Sequence, residues 1–241
     1  MVAAAAGAKV AKHGNRSISS KSGSADVLEA AGVNLELDAA QVAKCVDEVG
    51  VGFMFAPKHH GAMKHAIGPR KEMAVRTIFN VLGPLTNPAS APNQVIGVFS
   101  KNWVEPLAQV LKKLGSRHVM VVHADDGMDE ISIASATSVA ELKNGKITTY
   151  NIQPEDFSMN RSELLAIKAK DSDDSLKIIK SVLDNQDGAA KDIVCLNAGA
   201  AIYVSGLTDS LAAGIEKAKA VIADGKAKEK FEALVAYSNN F

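Results

Sequence analysis

The feature that most constrains this chain is an alternation. Short, unbroken apolar runs take turns with amphipathic stretches along its first half. The runs are Val51–Phe55, residues 95–99 and residues 119–122. Four or five apolar residues without a polar break suit strands buried on both faces, as in a parallel sheet covered by helices. Elsewhere the apolar residues recur at i, i+3, i+4 and i+7, which puts one stripe on a helix. Val42, Cys45, Val46 and Val49 make one stripe, with Asp38 placed to cap its start. Trp103, Leu107, Val110, Leu111 and Leu114 make another, which Gly115 can end. The pattern returns in Leu176, Ile179, Val182 and Leu183, and again in Leu211, Ile215, Ala218 and Ile222. Strands alternating with helices predict an α/β fold with flanking helices around a mostly parallel central sheet. Residues 137–150, with Asn144 and Gly145 at their centre, read as a hairpin with a type I′ turn, so the sheet is predicted to be mixed. From Ser172 onward the chain is predicted to be nearly all helix. Residues 57–87 stand apart: they are rich in histidine and Lys/Arg, and their helical stretches break at Gly68-Pro69 and Gly83-Pro84. They are read as a helical excursion from an α/β domain made of residues 1–56 and 88–241. No repeat or low-complexity linker calls for a second independent domain.

Charge and composition exclude several classes. Lys+Arg and Asp+Glu both number 27, so no global basic field draws nucleic acid or an anionic membrane. No apolar run approaches the roughly 20 residues that span a bilayer. Cys45 and Cys195 sit in apolar surroundings without CxxC or Cys/His ligand spacing, and are read as buried thiols. Residues 1–24 carry Lys9, Lys12, Arg16, Lys21 and five serines with no acid, which is also the composition of a transit peptide. The order of those residues argues against that reading.

Lys12, His13, Gly14, Asn15 and Arg16 are followed by a serine-rich turn reaching Ser24 and Asp26. With residues 8–11 entering as a strand and 26–31 leaving as a helix, backbone N–H groups beside Lys12 and Arg16 suit a phosphate. A second cluster, Asp125, Asp126, Gly127, Met128, Asp129 and Glu130, follows the run 119–122. Carboxylates at the C-terminal end of an α/β strand face the usual ligand crevice. Mg²⁺ favours a few carboxylates plus water and substrate phosphates. Asp125 and Asp126 read as a solvated turn, and Asp129 and Glu130, before the β-like run 131–134, as the better metal pair. Arg70, just after Gly68-Pro69, suits two-pronged binding of a carboxylate. His59, His60 and His65 do not fit zinc-ligand spacing with a third ligand.

KHGNRSISSKSGSADVLEAAGV, then HHGAMKHAIGPRKEMAVRTIFNVLGPLTNPA, then MDE, in this order, resemble the anthranilate phosphoribosyltransferase family of tryptophan biosynthesis. The resemblance runs from about residue 2 to the C-terminus and is strongest over residues 2–100. It implies a nucleoside phosphorylase/phosphoribosyltransferase-like fold with a remnant of a small helical domain. It also implies a pentosyl transfer: the phosphoribosyl group of phosphoribosyl pyrophosphate passes to the amine of anthranilate, pyrophosphate leaves, and Mg²⁺ assists. By the same resemblance Lys12, His13, Gly14, Asn15, Arg16, Ser17, Ile18, Ser19, Ser20 and Ser24 hold the donor. Asn15 and Arg70 contact anthranilate, His13 and Pro84 line its pocket, and Asp129 and Glu130 bind magnesium. His13 and Arg70 position substrate, and no protein nucleophile is implied. A homodimer is implied for a complete family member, in the cytoplasm, or in a plastid if a precursor carries a transit peptide.

Family members also carry an N-terminal helical part and a glycine-rich GTGGD-type loop, and this sequence begins after that point. Asn197, Ala198, Gly199 and Ala200 lie in an apolar helical context and are a poor substitute for that loop. The expectation is therefore a shortened form with weak or no turnover by residues 1–241 alone. Two alternatives share features with this reading: a pyrimidine nucleoside phosphorylase-like enzyme, and a non-catalytic relative that binds nucleic acid.

Overall fold

The structure is a computed structural model that describes residues 1–16, 22–59, 82–83 and 85–241. The chain divides into two compact units, one of residues 9–90, 169–177 and 229–241, the other of residues 1–8, 91–168 and 178–228. Among the described residues its α-helices of more than one turn are α1 Ser24–Ala30, α2 Ala39–Lys44, α3 Val104–Lys113, α4 Ser172–Leu183, α5 Ala189–Val204, α6 Leu211–Ala223 and α7 Lys226–Ser238. Its strands are β1 Val10–Gly14, β2 Val51–Phe55, β3 Asn93–Gly97, β4 His118–Ala124, β5 Thr137–Lys143 and β6 Lys146–Ile152. The chain is helical over most of its length after Ser172, as its periodicity predicts.

In the first unit, β1 runs parallel to β2 with Lys12 opposite Phe53 and Gly14 opposite Phe55. The strand predicted at residues 8–11 therefore lies further along, and Lys12, His13 and Gly14 belong to it. Pairing with the fully buried β2 extends the backbone hydrogen bonding to Gly14. Asp38 caps α2 as predicted: its carboxylate accepts from the Gln41 N–H and the Gln41 amide accepts from the Asp38 N–H, both at 2.8 Å. After Lys44 the helix widens into a π-turn, Cys45–Val49, ended by Gly50 at φ 91°. Lys9 Nζ donates to the carbonyls of Val46 and Asp47 in that turn and ties the chain just before β1 to it. Gly52 on β2 is required by space, since a Cβ there would lie 2.8 Å from the Val42 carbonyl oxygen. Residues 32–34 are tied to the C-terminus by Asn239, which donates to the Gly32 carbonyl, and by Ser238, which accepts from the Asn34 N–H.

In the second unit the strand order is β3-β4-β5-β6. β3 and β4 are parallel, and the two later pairings are antiparallel, so the sheet is mixed as predicted. Asn144 and Gly145 have φ of 53° and 74°, the two left-handed residues of a type I′ turn. β3 falls at 93–97 rather than 95–99. Of the stripe that the sequence suggests on the helix after it, Leu107 and Leu111 turn inward and the other three do not. Val104, Leu107, Ala108 and Leu111 are buried, while Trp103, Val110 and Leu114 stand 39%, 38% and 63% exposed. Both sets have helical spacing, and contact with β4 and β5 selects the first. Residues 131–134, predicted to be β-like, form an irregular segment in which Ile131 and Ile133 are buried.

α5 and α6 approach closely because two glycines face each other. A Cβ on Gly214 would lie 2.3 Å from the Gly199 carbonyl oxygen, and one on Gly199 would lie 2.7 Å from the Ile215 nitrogen. Cys45 and Cys195 are free and buried, as expected. Burial pushes the Cys195 thiol up to about 11 and raises that of Cys45.

A polar cluster sits inside the same unit, at the start of β4. Glu141 on β5 accepts hydrogen bonds from the hydroxyls of Tyr150 and Tyr203, both at 2.7 Å, and from His118 Nε2 at 2.9 Å. Lys143 donates to the Tyr203 hydroxyl at 3.0 Å. The His118 and Tyr203 rings pack edge to face with centroids 4.7 Å apart. Burial alone would raise the Glu141 carboxyl, but the three hydrogen bonds outweigh it and hold the carboxyl below its ordinary value.

Candidate functional site

The phosphate-binding candidate is built from β1, the turn after it and α1. Lys12 is exposed on the strand, whereas His13 and Gly14 are half-buried. Asn15 Oδ1 accepts from the N–H of the next residue, Arg16, at 2.8 Å, just after the strand ends. The Asn15 carbonyl accepts from the Ala25 N–H at 3.4 Å. Gly14 has no room for a side chain, because a Cβ would sit 2.7 Å from Ser24 Oγ and 3.1 Å from the Phe53 ring. The sequence therefore brings Gly14 and Ser24, ten positions apart, into contact. Asn87 Nδ2 donates to the Ala11 carbonyl at 3.2 Å and ties the LTNP segment to the same strand.

Arg16 is engaged within the unit. Its guanidinium pairs with Glu29 and Asp26 of α1 and lies 5.0 Å over the Phe55 ring. Two carboxylates thus offset its charge, and an anion here would rely more on Lys12 and on backbone N–H groups. Ser17, Ile18, Ser19, Ser20, Arg70 and Pro84, together with His60 and His65, lie outside the described residues.

The acidic candidate lies in the other unit, in the connection from β4 to β5. That connection leaves the C-terminal end of β4, beside the C-terminal end of the parallel strand β3. Asp126 is used internally: it accepts from the Ser132 hydroxyl at 2.5 Å and from the Met128 N–H at 3.0 Å. Burial tends to raise its carboxyl, yet these bonds, with Ser135 and His123 nearby, hold it below the ordinary range. Asp125 N–H bonds to the Ala136 carbonyl, closing the connection at its base. Asp129 and Glu130 are exposed at its crest.

Gly97 explains how that crest can lie where it does. A Cβ on Gly97 would fall 1.4 Å from the Asp129 carbonyl oxygen, so the Asp129 backbone passes directly over the end of β3. A second support comes from α5, where Asn197 bonds to the backbone of Ile131. Neither residue was among the predicted site residues. A glycine inside an otherwise apolar strand is a sign of close backbone approach, and that sign was present at Gly97. Among the described residues no group of three or more His, Cys, Asp and Glu could enclose a metal ion. An adjacent pair of hard oxygen donors suits a cation that takes one or two carboxylates and completes its shell with water and phosphate.

A glycosyltransferase a/b domain is the class that the fold and these two candidate regions define: the Glycosyl transferase family a/b-domain model matches residues 1–228. The chain is 65% identical over 238 residues to the anthranilate phosphoribosyltransferase of Thioalkalivibrio sulfidiphilus, covering 99% of this chain and 70% of the relative. It is 62% identical over 240 residues to that of Methylococcus capsulatus, again covering 70% of the relative. It therefore belongs to the anthranilate phosphoribosyltransferase family, as its motifs imply. The crystal structure of the Thermus thermophilus enzyme matches with a TM-score of 0.93 at 42% identity, over 99% of this chain and 71% of that one. A Saccharomyces cerevisiae anthranilate phosphoribosyltransferase in complex with PRPP and Mg matches with a TM-score of 0.87 at 25% identity, over 100% of this chain and 68% of that one. These relatives favour neither the nucleoside phosphorylase nor the nucleic-acid alternative.

Proposed function

We propose that this chain transfers the phosphoribosyl group of phosphoribosyl pyrophosphate to the amine of anthranilate, releasing pyrophosphate. The observation that carries the proposal is 65% identity to a named anthranilate phosphoribosyltransferase in a match that covers 99% of the chain and takes in both the KHGN strand and the acidic pair. The donor is assigned to Lys12, His13, Gly14, Asn15, Arg16, Ser17, Ile18, Ser19, Ser20 and Ser24. Anthranilate is assigned to Asn15, His13, Arg70 and Pro84, and magnesium to Asp129 and Glu130. The division into an α/β domain and a helical excursion at 57–87, the homodimer and a cytoplasmic location belong to the same proposal. No helix among the described residues is long and apolar enough to cross a membrane.

The chemistry asks little of the protein beyond position and charge. Departure of pyrophosphate builds negative charge on its oxygens, and bound Mg²⁺ supplies Lewis-acid stabilisation of that charge. Lys12 adds a positive charge from the exposed side of β1. The Asn15 amide, held by the Arg16 N–H, gives the turn a set shape against which the donor can be oriented. Arg70 would fix the anthranilate carboxylate and so aim the ring amine at the ribose carbon. No base is needed to free the amine before attack, because an aromatic amine is already unprotonated at neutral pH; the proton it sheds once the C–N bond forms passes to water or to the departing pyrophosphate.

The test is loss of anthranilate fluorescence with phosphoribosyl pyrophosphate and Mg²⁺. Residues 1–241 are assayed alone and fused to the part of the Thioalkalivibrio relative that lies outside the matched region. Turnover by either form supports the proposal, and no turnover by either would sink it. In the form that turns over, Arg70→Ala is expected to raise KM for anthranilate about 10- to 100-fold, with little change in that for the donor. Equal effects on both substrates would make Arg70 structural. Asp129→Asn combined with Glu130→Gln is expected to raise the Mg²⁺ needed for half-maximal turnover by about tenfold or more. An unchanged magnesium curve would remove the pair from the metal site.

A further inference from the structure

Asn197 is a polar side chain on a helix otherwise packed by apolar ones: Cys195, Leu196 and Ala200 beside it are each 1% exposed or less. Its amide does not pair with another side chain. Oδ1 accepts from the Ile131 N–H at 3.0 Å, and Nδ2 donates to the Ile131 carbonyl at 2.8 Å. The same Nδ2 also donates to the Ile193 carbonyl, one turn back on α5, at 3.0 Å. One side chain therefore takes both backbone groups of one residue, much as a neighbouring strand would. Ile131 is 2% exposed and directly follows Glu130.

The rest of the β4–β5 connection is secured without Asn197. Asp126 with Ser132 and Met128, Asp125 with Ala136, and the Ser132 N–H with Thr137 Oγ1 hold its two ends. What Asn197 adds is a fixed point immediately after the acidic pair. On the other side the Asp129 carbonyl rests against Gly97. Asn197 itself stands on a helix with little freedom to shift, because Gly199, half a turn on, is in backbone contact with α6.

We infer that Asn197 is a positioning residue for the metal-binding pair: by clamping both backbone groups of Ile131 it sets the direction in which Asp129 and Glu130 present their carboxylates. This rests on the proposal that the pair holds a divalent cation. Only asparagine satisfies the arrangement at this length. Aspartate keeps the acceptor and loses the donor, leucine loses both, and glutamine is one methylene too long. Groups that orient metal ligands from behind typically change metal affinity 10–100-fold when removed.

The experiment is a Mn²⁺ titration of residues 1–241 followed by paramagnetic broadening of backbone amide signals, with amide exchange at Ile131 measured alongside. Asn197→Asp and Asn197→Leu are compared with Cys195→Ala, which disturbs the same buried helix without touching the clamp. In the unsubstituted chain, broadening is expected first at residues 129–131. Both Asn197 variants are expected to need about tenfold more Mn²⁺ and to exchange the Ile131 amide faster, while Cys195→Ala leaves both unchanged. An unchanged Mn²⁺ midpoint in the Asn197 variants overturns the inference and leaves the metal assignment standing. A midpoint that moves equally in Cys195→Ala also overturns it, since the effect is then only structural. No broadening at 129–130 in the unsubstituted chain overturns the metal assignment and the inference together. Asn197→Asp, of nearly equal size, carries the comparison if Asn197→Leu does not fold.

Discussion

Replacing Gly97 with alanine is expected to lower turnover about 100-fold or more in the active form of the assay. The added methyl carbon would sit 1.4 Å from the Asp129 carbonyl oxygen and 2.4 Å from its carbon. No rotamer relieves such an overlap, because a Cβ has no freedom of its own. β3 is anchored by its parallel ladder to β4, which is buried but for His123, so the β4–β5 connection must move instead. A shift of about 1 Å in a positioning group is enough to cost about two orders of magnitude in rate. The β4–β5 connection carries Asp129 and Glu130 with it, and the Mn²⁺ midpoint is expected to rise together with the loss of turnover. Wild-type turnover in Gly97→Ala, at an unchanged magnesium requirement, would show that the acidic pair plays no part in the reaction.

The second large effect is on stability. Glu141→Ala is expected to cost about 3–5 kcal/mol, because it removes the common acceptor of three donors, of which His118 and Tyr203 are buried and Tyr150 half-buried. At about 2–4 °C per kcal/mol for a chain of this size, the melting temperature should fall by on the order of 10 °C. Glu141→Gln keeps one acceptor oxygen and should cost less. The pH dependence follows from the direction of the shift. A carboxyl held below its ordinary value in the fold contributes stability above the unfolded-state value, and that contribution is lost as pH falls through the folded-state value. The unsubstituted protein should therefore lose stability more steeply on acidification below about pH 4.5 than Glu141→Gln does. Parallel acid profiles in thermal melts would show that the Glu141 charge contributes nothing to the fold. The effect on Mg²⁺ dependence should be small, because the cluster lies at the start of β4 and the acidic pair follows its end.

Much of the fold was legible because it depends on local pattern. The buried run Val51–Phe55 is a strand at those bounds, Asp38 caps its helix, and Asn144-Gly145 forms the hairpin turn. Each rests on a preference within a few residues. Errors arose where two local solutions were equally good. Trp103, Val110 and Leu114 have helical spacing just as Val104, Leu107, Ala108 and Leu111 do, and only the sheet beneath decides which set is buried. Residues 131–134 are apolar enough for a strand, but the clamp from Asn197 and the bonds to Asp126 and Thr137 use their backbone and side chains otherwise.

For the site, the sequence by itself determined the family and the residue types available for the chemistry. KHGN, the serine-rich turn and the MDE triplet are continuous segments, and their order is enough to recognise. Only the tertiary structure decided what holds those segments in place. Gly14 meets Ser24, Gly97 makes room for Asp129, and Asn197 reaches Ile131 across 66 positions. These supports are made by a missing side chain or by a lone amide, and their partners lie far along the chain, so no motif names the partner. They depend on distances between elements, which the packing of strands and helices sets and which local spacing does not encode.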